Sequence, residues 1–519
     1  MRKYYSFFLF LIFATIITSI LLVEKEPDRD AKKIYNDLLQ KTNQGKSLLY
    51  NDNLMGRIVW NEAQFMESLL NMYEACKDER YLEIFCEHAE HILKIRDDHA
   101  NRSDYNGRNR PGWQTGSYYT LGVPLMIPDK FGNPALEIQG VHKNGNENTR
   151  VQIFIENNKN FSIQVRNDFR KKQPIIVNFK NLTLETAESI INSNLSPDNW
   201  IKARVIGNTT PIEGIFSLNS TYKMVMHELH TPIIGIPFLK FAYLVNNTQS
   251  LNQYQIQAMR YINSFEESSF DYEQSWHNDS DRGFYVFEPG GKYWASSLPI
   301  PYNALSANGL YYLMLYKVTG KEQYLKRTTV LAQEIREGIT FYDNGTMNMP
   351  YWKIYSPPYN GLEMGNDVPI NGLYYKIAPD KASEDISHFS LTLRFMIEAW
   401  KMGIVFQEND LKAVAKTFSE KIWKPTHIPT ENLCDSDPSK GFFLSHNLEG
   451  KGNAYDYAIN NYLFLKRWDS KIVNRFWEVY ENRYLKSVCF DIDYLYGEVM
   501  LGWSQLYLNQ ESDLTSPIC

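Results

Sequence analysis

The densest group of polar residues that could do chemistry is the segment Glu-Asp-Ile-Ser-His-Phe at 384–389. Apolar residues spaced three and four apart follow it, so we expect these side chains at the entrance of a helix. There the backbone N–H groups and the helix dipole favour anions, and a carboxylate beside a histidine can fix the imidazole tautomer. We predict His388 and Asp385 as catalytic residues and Glu384 as a substrate-binding residue. The alternative for Asp385 is a structural role as helix N-cap, and the alternative for Glu384 is a solvated loop acid.

Further polar residues that could carry chemistry fall where helices are expected to begin. Glu62 follows a Trp-Asn pair, Asn303 follows Pro-Tyr, and Tyr455 and Tyr457 flank an aspartate. We predict Glu62 as an acid catalyst, and Tyr455 or Tyr457 as a proton donor or acceptor. Asn303 is predicted to bind substrate. The alternative for the tyrosine cluster is that it only caps the following helix.

The sequence His-Glu-Leu-His at 227–230 has the composition of a zinc motif but not its spacing. A metalloprotease helix needs two residues between the glutamate and the second histidine, and here there is one. Thr231 and Pro232 are typical of an N-cap and a first helical residue, so His230 is expected in the preceding loop, as a substrate-binding residue. We predict no metal. The chain also lacks a Gly-rich phosphate loop, a nucleophile elbow and a CxxC pair, so we predict no cofactor.

A spaced repeat indicates the architecture that must position these residues. Residues 73–92 and 316–335 share one pattern. Each begins with a Tyr, continues with a Tyr-Leu pair and then an Ala, and ends with an Ile, all at the same spacing. Each copy joins two apolar-periodic segments through a short charged turn, which is typical of a helical hairpin. Looser copies lie around 238–262, 397–422 and 460–484. Five or six hairpins predict a mainly α fold, an (α/α) barrel or toroid in which each hairpin packs against its neighbours.

The segment 135–216 interrupts the helical pattern. Its apolar residues alternate with polar ones, as at 151–155 and 162–165, and Asn-rich turns separate the runs. This period of two predicts an inserted β-sandwich. The predicted organisation is an N-terminal tip, anchor and linker (1–29), the first part of the toroid (30–134), the β-sandwich (135–216) and the rest of the toroid (217–519).

Aromatic residues are concentrated in the loops between the predicted hairpins. Trp113 lies in one such loop, and Trp352 and Tyr355 lie in another. Tryptophan and tyrosine suit sugar rings, which offer an apolar face for stacking and hydroxyls for hydrogen bonds. We therefore predict these three residues as substrate-binding, with a glycan as the partner. The alternative for each ring is packing in the core.

The N-terminal segment predicts a location outside the cytoplasm. Residues 6–23 are uncharged and largely apolar, and Arg2 and Lys3 precede them. That length just spans a bilayer, so we predict a single transmembrane helix with the following residues on the extracytoplasmic side. The alternative is a cleaved signal peptide and a secreted protein. A net charge of −6 without a long basic run excludes the electrostatic footprint of a nucleic-acid-binding protein.

Taken together, these features resemble those of carbohydrate-active (α/α) toroid enzymes, in particular the D-glucuronyl C5-epimerase group, with polysaccharide lyases as architectural relatives. The sharpest local match is Asp385-x-x-His388-Phe389 against the Asp-Leu-Arg-His-Phe segment of the epimerases. Ser387 replaces the arginine of that segment. The resemblance implies proton abstraction at C5 of a uronate, followed by return of the proton in an epimerase or loss of a leaving group in a lyase.

The resemblance also implies roles for the candidate residues. His388 would act as base or acid with a tyrosine as its partner, Asn303 and His230 would bind the carboxylate or hydroxyls, and Trp113 and Trp352 would form stacking walls. A glycoside hydrolase is the rival enzyme, since Glu62, Glu384, Asp385 and Asp456 could supply a catalytic pair. A glycan-binding or surface-assembly protein without catalysis is the third alternative.

Overall fold

The computed structural model of this protein covers most of the chain. It describes residues 29–116, 123–140, 149–157, 159–168, 174–194, 201–218, 224–279, 282–288, 298–352, 383–424, 444–452, 459–481 and 492–511. About 54% of these residues are helical and 18% lie in strands of small sheets. The described part is therefore mainly α-helical.

Helices form two layers in the main part of the fold. The α-helices are α1 (Ala31–Lys41), α2 (Ala63–Cys76), α3 (Arg80–Lys94), α4 (Leu184–Ser193), α5 (His230–Asn246), α6 (Gln255–Asp271), α7 (Tyr302–Thr319), α8 (Glu322–Glu337), α9 (Ile386–Lys401), α10 (Glu408–Thr417), α11 (Lys471–Tyr480) and α12 (Ile492–Glu511). A π-helical turn, Ile58–Glu62, leads into α2, and a 3₁₀ turn, Tyr462–Arg467, precedes α11.

The inner layer is a closed ring. The helices α2, α5, α7 and α9 each contact the next, α9 contacts the 3₁₀ turn, and α12 contacts α2. Gln505 of α12 exchanges two hydrogen bonds of 3.1 Å with Asn461, which lies just before the 3₁₀ turn. Every residue of α7 from Tyr302 to Leu315 is buried. A helix without an exposed face must be enclosed by other elements, and α5, α9 and α8 enclose this one.

The outer layer covers the ring with amphipathic helices. α3 packs on α2, α6 on α5, α8 on α7, α10 on α9, α11 on α12, and α1 also on α12. Lys77 and Gly320 take left-handed backbone conformations, with φ of 56° and 66°, and end α2 and α7. These are the turns of the two hairpins predicted from the repeat. The first helix of the described residues, α1, thus packs against the last one, α12.

The β region forms two small antiparallel sheets over a second core. Its strands are β1 (Leu125–Pro128), β2 (Pro134–Gly140), β3 (Thr149–Ile155), β4 (Phe161–Asn167), β5 (Ile175–Leu182), β6 (Ile201–Val205) and β7 (Gly214–Ser217). One sheet has the order β1-β2-β6 and the other β5-β4-β3-β7. The region begins before residue 135 and includes helix α4, which the alternation of residues did not predict.

Short hairpins complete the described strands. They are β8 (Trp276–Asp279) with β9 (Arg282–Tyr285), and β10 (Thr340–Phe341) with β11 (Met347–Asn348). Both lie in connections that follow outer helices, α6 and α8.

The fold class predicted from the sequence is wrong in including a transmembrane helix. Across the described ranges, no helix is both long and apolar enough to cross a bilayer. The strongly apolar helix α5 has 17 residues, or about 26 Å, which is shorter than the about 30 Å of a hydrocarbon core. Residues 6–23, to which the anchor was assigned, lie outside the described residues. The predicted membrane localisation is corrected on the same finding. The predicted contact of residues 6–23 with a bilayer stays a prediction.

Close packing of α2 against α12 depends on one glycine. A Cβ on Gly497 would lie 1.9 Å from the backbone oxygen of Asn61, and the Gly497 N–H donates to Asn61 Oδ1 at 2.5 Å. We expect Gly497→Ala to lower the free energy of unfolding by about 1–3 kcal/mol, because backbone atoms would have to separate. Urea unfolding measures the change. Glu511→Ala, at the exposed end of the same helix, is the control, and equal stabilities of the two variants would contradict the prediction.

Candidate functional site

The N-terminal ends of the inner helices meet at one end of the ring. His230, the first residue of α5, contacts Asn53 and Trp60, which precede α2. Asn61, also before α2, contacts Gly497 in the first turns of α12. The same holds for α7 and α9: Asn308 of α7 donates to the carbonyl of Glu228 before α5, and Ser306 of α7 donates to Thr392 of α9. The inner helices are therefore parallel, and the partial positive charges of their N-terminal ends lie at the same end of the ring. This end is suited to an anionic ligand.

Asp385 precedes α9 and holds His388 while it caps the helix. Its Oδ1 accepts hydrogen bonds from the backbone N–H groups of Ser387 and His388, each at 3.0 Å, and from the Ser387 hydroxyl at 2.5 Å. Its Oδ2 accepts a hydrogen bond from Nδ1 of His388. The sequence left capping and chemistry as alternatives for Asp385. In the structure Oδ1 caps the helix and Oδ2 accepts the hydrogen bond from His388.

The electrostatics of the pair define the tautomer of the imidazole. Burial raises the pKa of Asp385, but the hydrogen bond and charge of His388 outweigh it, and the pKa is held well below its usual range. An ionised carboxylate only accepts hydrogen bonds, so His388 Nδ1 carries a proton and Nε2 is left for proton transfer. The His388 side chain is 39% exposed, so a ligand can reach it. The ring of Tyr351 packs beside it at 5.0 Å.

Glu384 is buried next to this pair, and its carboxyl group is neutral. The residue is fully buried, and among the described residues neither carboxyl oxygen has a hydrogen-bond partner. Burial, together with the nearby charge of Asp385, raises its pKa well above the usual value. Ligand atoms of Glu384, Asp385 and His388 lie within 4.8 Å of one another. One nitrogen and two oxygens form a donor set that a divalent cation can take, so the absence of a metal stays a prediction.

The structure places Glu62 away from this pair, between α2 and α3. Its Oε1 accepts a hydrogen bond from His88 Nδ1 at 2.7 Å, and its Oε2 accepts one from the Tyr50 N–H at 3.2 Å. Burial raises the pKa of Glu62, and the hydrogen bond from His88 only partly offsets this. Both side chains are enclosed. The predicted acid catalyst is therefore part of a buried pair that joins an inner helix to an outer one.

His230 and Asn303 both lie at the N-terminal end of the ring. His230 is the first residue of α5, not part of the preceding loop, and its ring stacks on His227 at 4.4 Å. Burial lowers the pKa of His227 to about 3 and that of His230 well below its usual value, so both are neutral at pH 7. Asn303 is buried in the first turn of α7, and its Oδ1 has no hydrogen-bond partner among the described residues.

The two tryptophans predicted as stacking walls are buried. Trp113 is 1% exposed, its Nε1 donates to the carbonyl of Ile92 at 3.0 Å, and its ring stacks on Phe265. Trp352 is 3% exposed, and its Nε1 donates to the carbonyl of Pro299 at 2.9 Å. Neither ring has a free face for a sugar, so the prediction of stacking is corrected to core packing.

The three remaining candidates are tyrosines. Tyr355, Tyr455 and Tyr457 lie outside the described residues, so their predicted roles stay predictions.

Two glutamates at the same end of the ring were missed as candidate residues: Glu228, which is buried, and Glu498, which is partly exposed. Glu228 Oε1 accepts a hydrogen bond from the Glu288 N–H at 2.6 Å, and Glu498 Oε1 accepts one from Gln64 Nε2 at 3.1 Å. Burial raises the pKa of each carboxyl group to about 8. The sequence offered one indication of these residues: each glutamate stands next to a segment in which apolar residues recur with helical spacing. For Glu228 that indication was considered only as part of a zinc motif.

No family model, curated protein or solved structure matches this chain. The resemblance to the epimerases therefore stays a prediction, and the geometry of Asp385, His388 and Glu384 carries the functional argument.

The raised pKa of Glu228 predicts a pH-dependent stability. An unfolded glutamate ionises near pH 4.5, whereas Glu228 in the folded protein keeps its proton up to about pH 8. Its contribution to stability is fully present below pH 4.5 and is lost as the pH rises to about 8, by a few kcal/mol at most. Glu228→Gln lacks this loss, because the amide stays neutral and its oxygen can still accept from the Glu288 N–H.

We therefore expect Glu228→Gln to gain stability relative to the unmodified protein between pH 5 and pH 8. Urea unfolding at both pH values measures the difference. Glu185→Gln removes an exposed carboxylate and is the matched control. A stability difference for Glu228→Gln that is the same at both pH values would contradict the prediction.

Proposed function

We propose that this protein is an enzyme that removes a proton from C5 of a uronic-acid unit in a glycan, as a C5-epimerase or a polysaccharide lyase does. The observation that carries the proposal is the Asp385–His388 pair at the N-terminal end of the ring. The pair presents the imidazole nitrogen Nε2 on a side chain that is 39% exposed. A base fixed in one tautomer by an ionised carboxylate is the arrangement that proton abstraction needs.

In the proposed reaction His388 Nε2 takes the proton from C5, which lies next to the substrate carboxylate. The electron pair of the broken C–H bond moves into the carboxylate group, which then carries a second negative charge. The imidazolium formed on His388 is stabilised by Asp385, and the N-terminal ends of the inner helices stabilise the developing oxyanion. A proton delivered from solvent to the opposite face of C5 yields the epimer, and His388 then releases its proton to solvent. In a lyase the C4 substituent instead departs with the electron pair of its bond and is protonated by solvent, which yields an unsaturated sugar.

A glycoside hydrolase is the second candidate, and one observation favours it. The pKa of Glu384 is raised and that of Asp385 is lowered, and such a split within a pair of carboxyl groups is typical of an acid and its partner. Against it, the oxygens of Asp385 already accept hydrogen bonds from Ser387 and His388. Glu384 is fully buried. We therefore place proton abstraction first.

One experiment separates these reactions. The purified full chain is incubated in heavy water with uronate polysaccharides, and the products are analysed by NMR and ultraviolet absorbance. Deuterium at C5 identifies an epimerase, and an absorbing unsaturated end identifies a lyase. New reducing ends without unsaturation identify a hydrolase and would overturn the proposal. Binding of the polysaccharide without any product would contradict all three enzymatic functions.

A further inference from the structure

The outward face of the sheet β5-β4-β3-β7 carries a straight row of amide side chains. Gln152 of β3 is paired with Gln164 of β4, and Gln164 is paired with Asn178 of β5. Gln164 Nε2 donates to Asn178 Oδ1 at 2.9 Å. Because neighbouring strands lie about 4.8 Å apart, the row crosses about 10 Å of the sheet. Each amide offers a donor and an acceptor, which suits a chain with many hydroxyl groups.

The same face is positively charged. Arg150 of β3 is paired with Arg166 of β4 in the next outward row, and Lys180 of β5 is exposed. We define the basic sheet face by its amides and cations: Arg150, Gln152, Gln164, Arg166, Asn178 and Lys180. The side chains that alternate with them, such as Val151 and Val165, point into the second core. The outward positions of these strands hold three cations and no carboxylate, although the whole chain carries a net charge of −6.

Acidic residues near the face lie just beyond the strand ends. Glu156 follows β3 and accepts a hydrogen bond from the Ser162 hydroxyl. Asp168 follows β4 and accepts a hydrogen bond from Arg166 Nε at 2.8 Å. Within the described residues Arg150 and Lys180 have no carboxylate partner. Two of the three cations are therefore available to an anion.

Exposed apolar side chains border the face. Phe154 is 38% exposed, Ile176 is 46% exposed and Ile215 is 66% exposed. Sugar rings have an apolar face that packs against such side chains, and an aromatic ring is the strongest partner. Amides, cations and apolar groups together match the hydroxyls, carboxylates and ring faces of one kind of ligand.

We propose that the basic sheet face binds an acidic polysaccharide whose chain runs across β3, β4 and β5. Nucleic acid is the other polyanion to consider. Its affinity depends chiefly on contacts between cations and phosphates, whereas this face combines only three cations with a row of neutral amides. The proposal goes beyond proton abstraction, because the face lies on the sheets and binding there requires no reaction.

Charge reversal of one residue tests the proposal on the full chain. Arg150→Glu is compared with Lys130→Glu, which makes the same charge change in the exposed β1–β2 turn on the other sheet. Binding is measured by titration calorimetry with alginate, neutral dextran and single-stranded DNA. We expect Arg150→Glu to weaken alginate binding about tenfold, since one charged hydrogen bond is lost. We expect Lys130→Glu to leave it unchanged.

Three results would overturn the proposal: equal alginate affinity of the two variants, dextran binding as tight as alginate binding, or DNA binding tighter than alginate binding. The test is separate from that of the proposed reaction. Proton exchange on a short uronate oligosaccharide by the unmodified protein reports on His388, whereas the alginate affinity of Arg150→Glu reports on the sheet face. If the unmodified protein binds alginate but shows no proton exchange, the result counts against the proposed reaction alone.

Discussion

His388→Ala is expected to lower the rate of deuterium incorporation at C5 by about 10²–10⁴-fold, the usual contribution of a positioned general base. The residue is partly exposed and makes its main side-chain contacts with Asp385 and Tyr351, so the fold should be kept. NMR of the sugar product in heavy water measures the rate, and circular dichroism reports on the fold. His446→Ala, which removes an exposed histidine from a neighbouring loop, is the matched control. Full exchange in a folded His388→Ala variant would disprove the role of this residue.

Two substitutions of Asp385 separate its structural role from its chemical role. Asn caps helices about as well as Asp, so Asp385→Asn should keep the helix cap and cost less stability than Asp385→Ala. It removes the negative charge that orients and stabilises the imidazolium, so exchange should fall by about 10²-fold or more. Asp385→Ala should lose the activity and also about 1 kcal/mol of stability. If Asp385→Asn is active while Asp385→Ala is unstable, the residue is only a cap.

Glu67→Gln is expected to destabilise the ring by about 3–5 kcal/mol, the usual cost of removing one partner of a buried ion pair. Glu67 of α2 is 5% exposed and bridges Lys240 of α5, at 2.7 Å, and Arg394 of α9. Burial raises the pKa of Glu67, but the charges of Arg394 and Lys240 outweigh it, so the carboxylate is ionised. The neutral amide would remove the carboxylate partner of Arg394 and leave Lys240 with only less direct interactions, such as that with Glu398.

Urea unfolding measures the effect of Glu67→Gln. The control is Asp37→Asn, which breaks the exposed Lys33–Asp37 pair on α1 and should change stability by less than about 0.5 kcal/mol. Because the ionised form of Glu67 is favoured by folding, its contribution is present above its unfolded pKa of about 4.5 and is lost as the pH falls through its lower folded pKa. Equal stabilities of Glu67→Gln and Asp37→Asn at pH 7 would contradict this role.

The sequence by itself determined the features that depend on near neighbours along the chain. The spacing of Tyr73 and Tyr81 predicted helices on both sides of a turn, because an α-helix repeats every 3.6 residues wherever it lies. Asp385 and His388 are three residues apart at a helix start, and helix geometry alone brings such side chains together. The pair at the centre of the candidate site was therefore predictable.

Only the tertiary structure decided which side chains are buried and which distant residues they meet. Glu62 pairs with His88 in the next helix, and Glu228 meets the backbone of Glu288, far along the chain. Trp113 is enclosed against Phe265, which no local pattern indicates. Burial and long-range partners depend on how the helices pack around the ring, and they set both the pKa of a carboxyl group and the access of a ligand to it. Residue type and spacing do not carry that information.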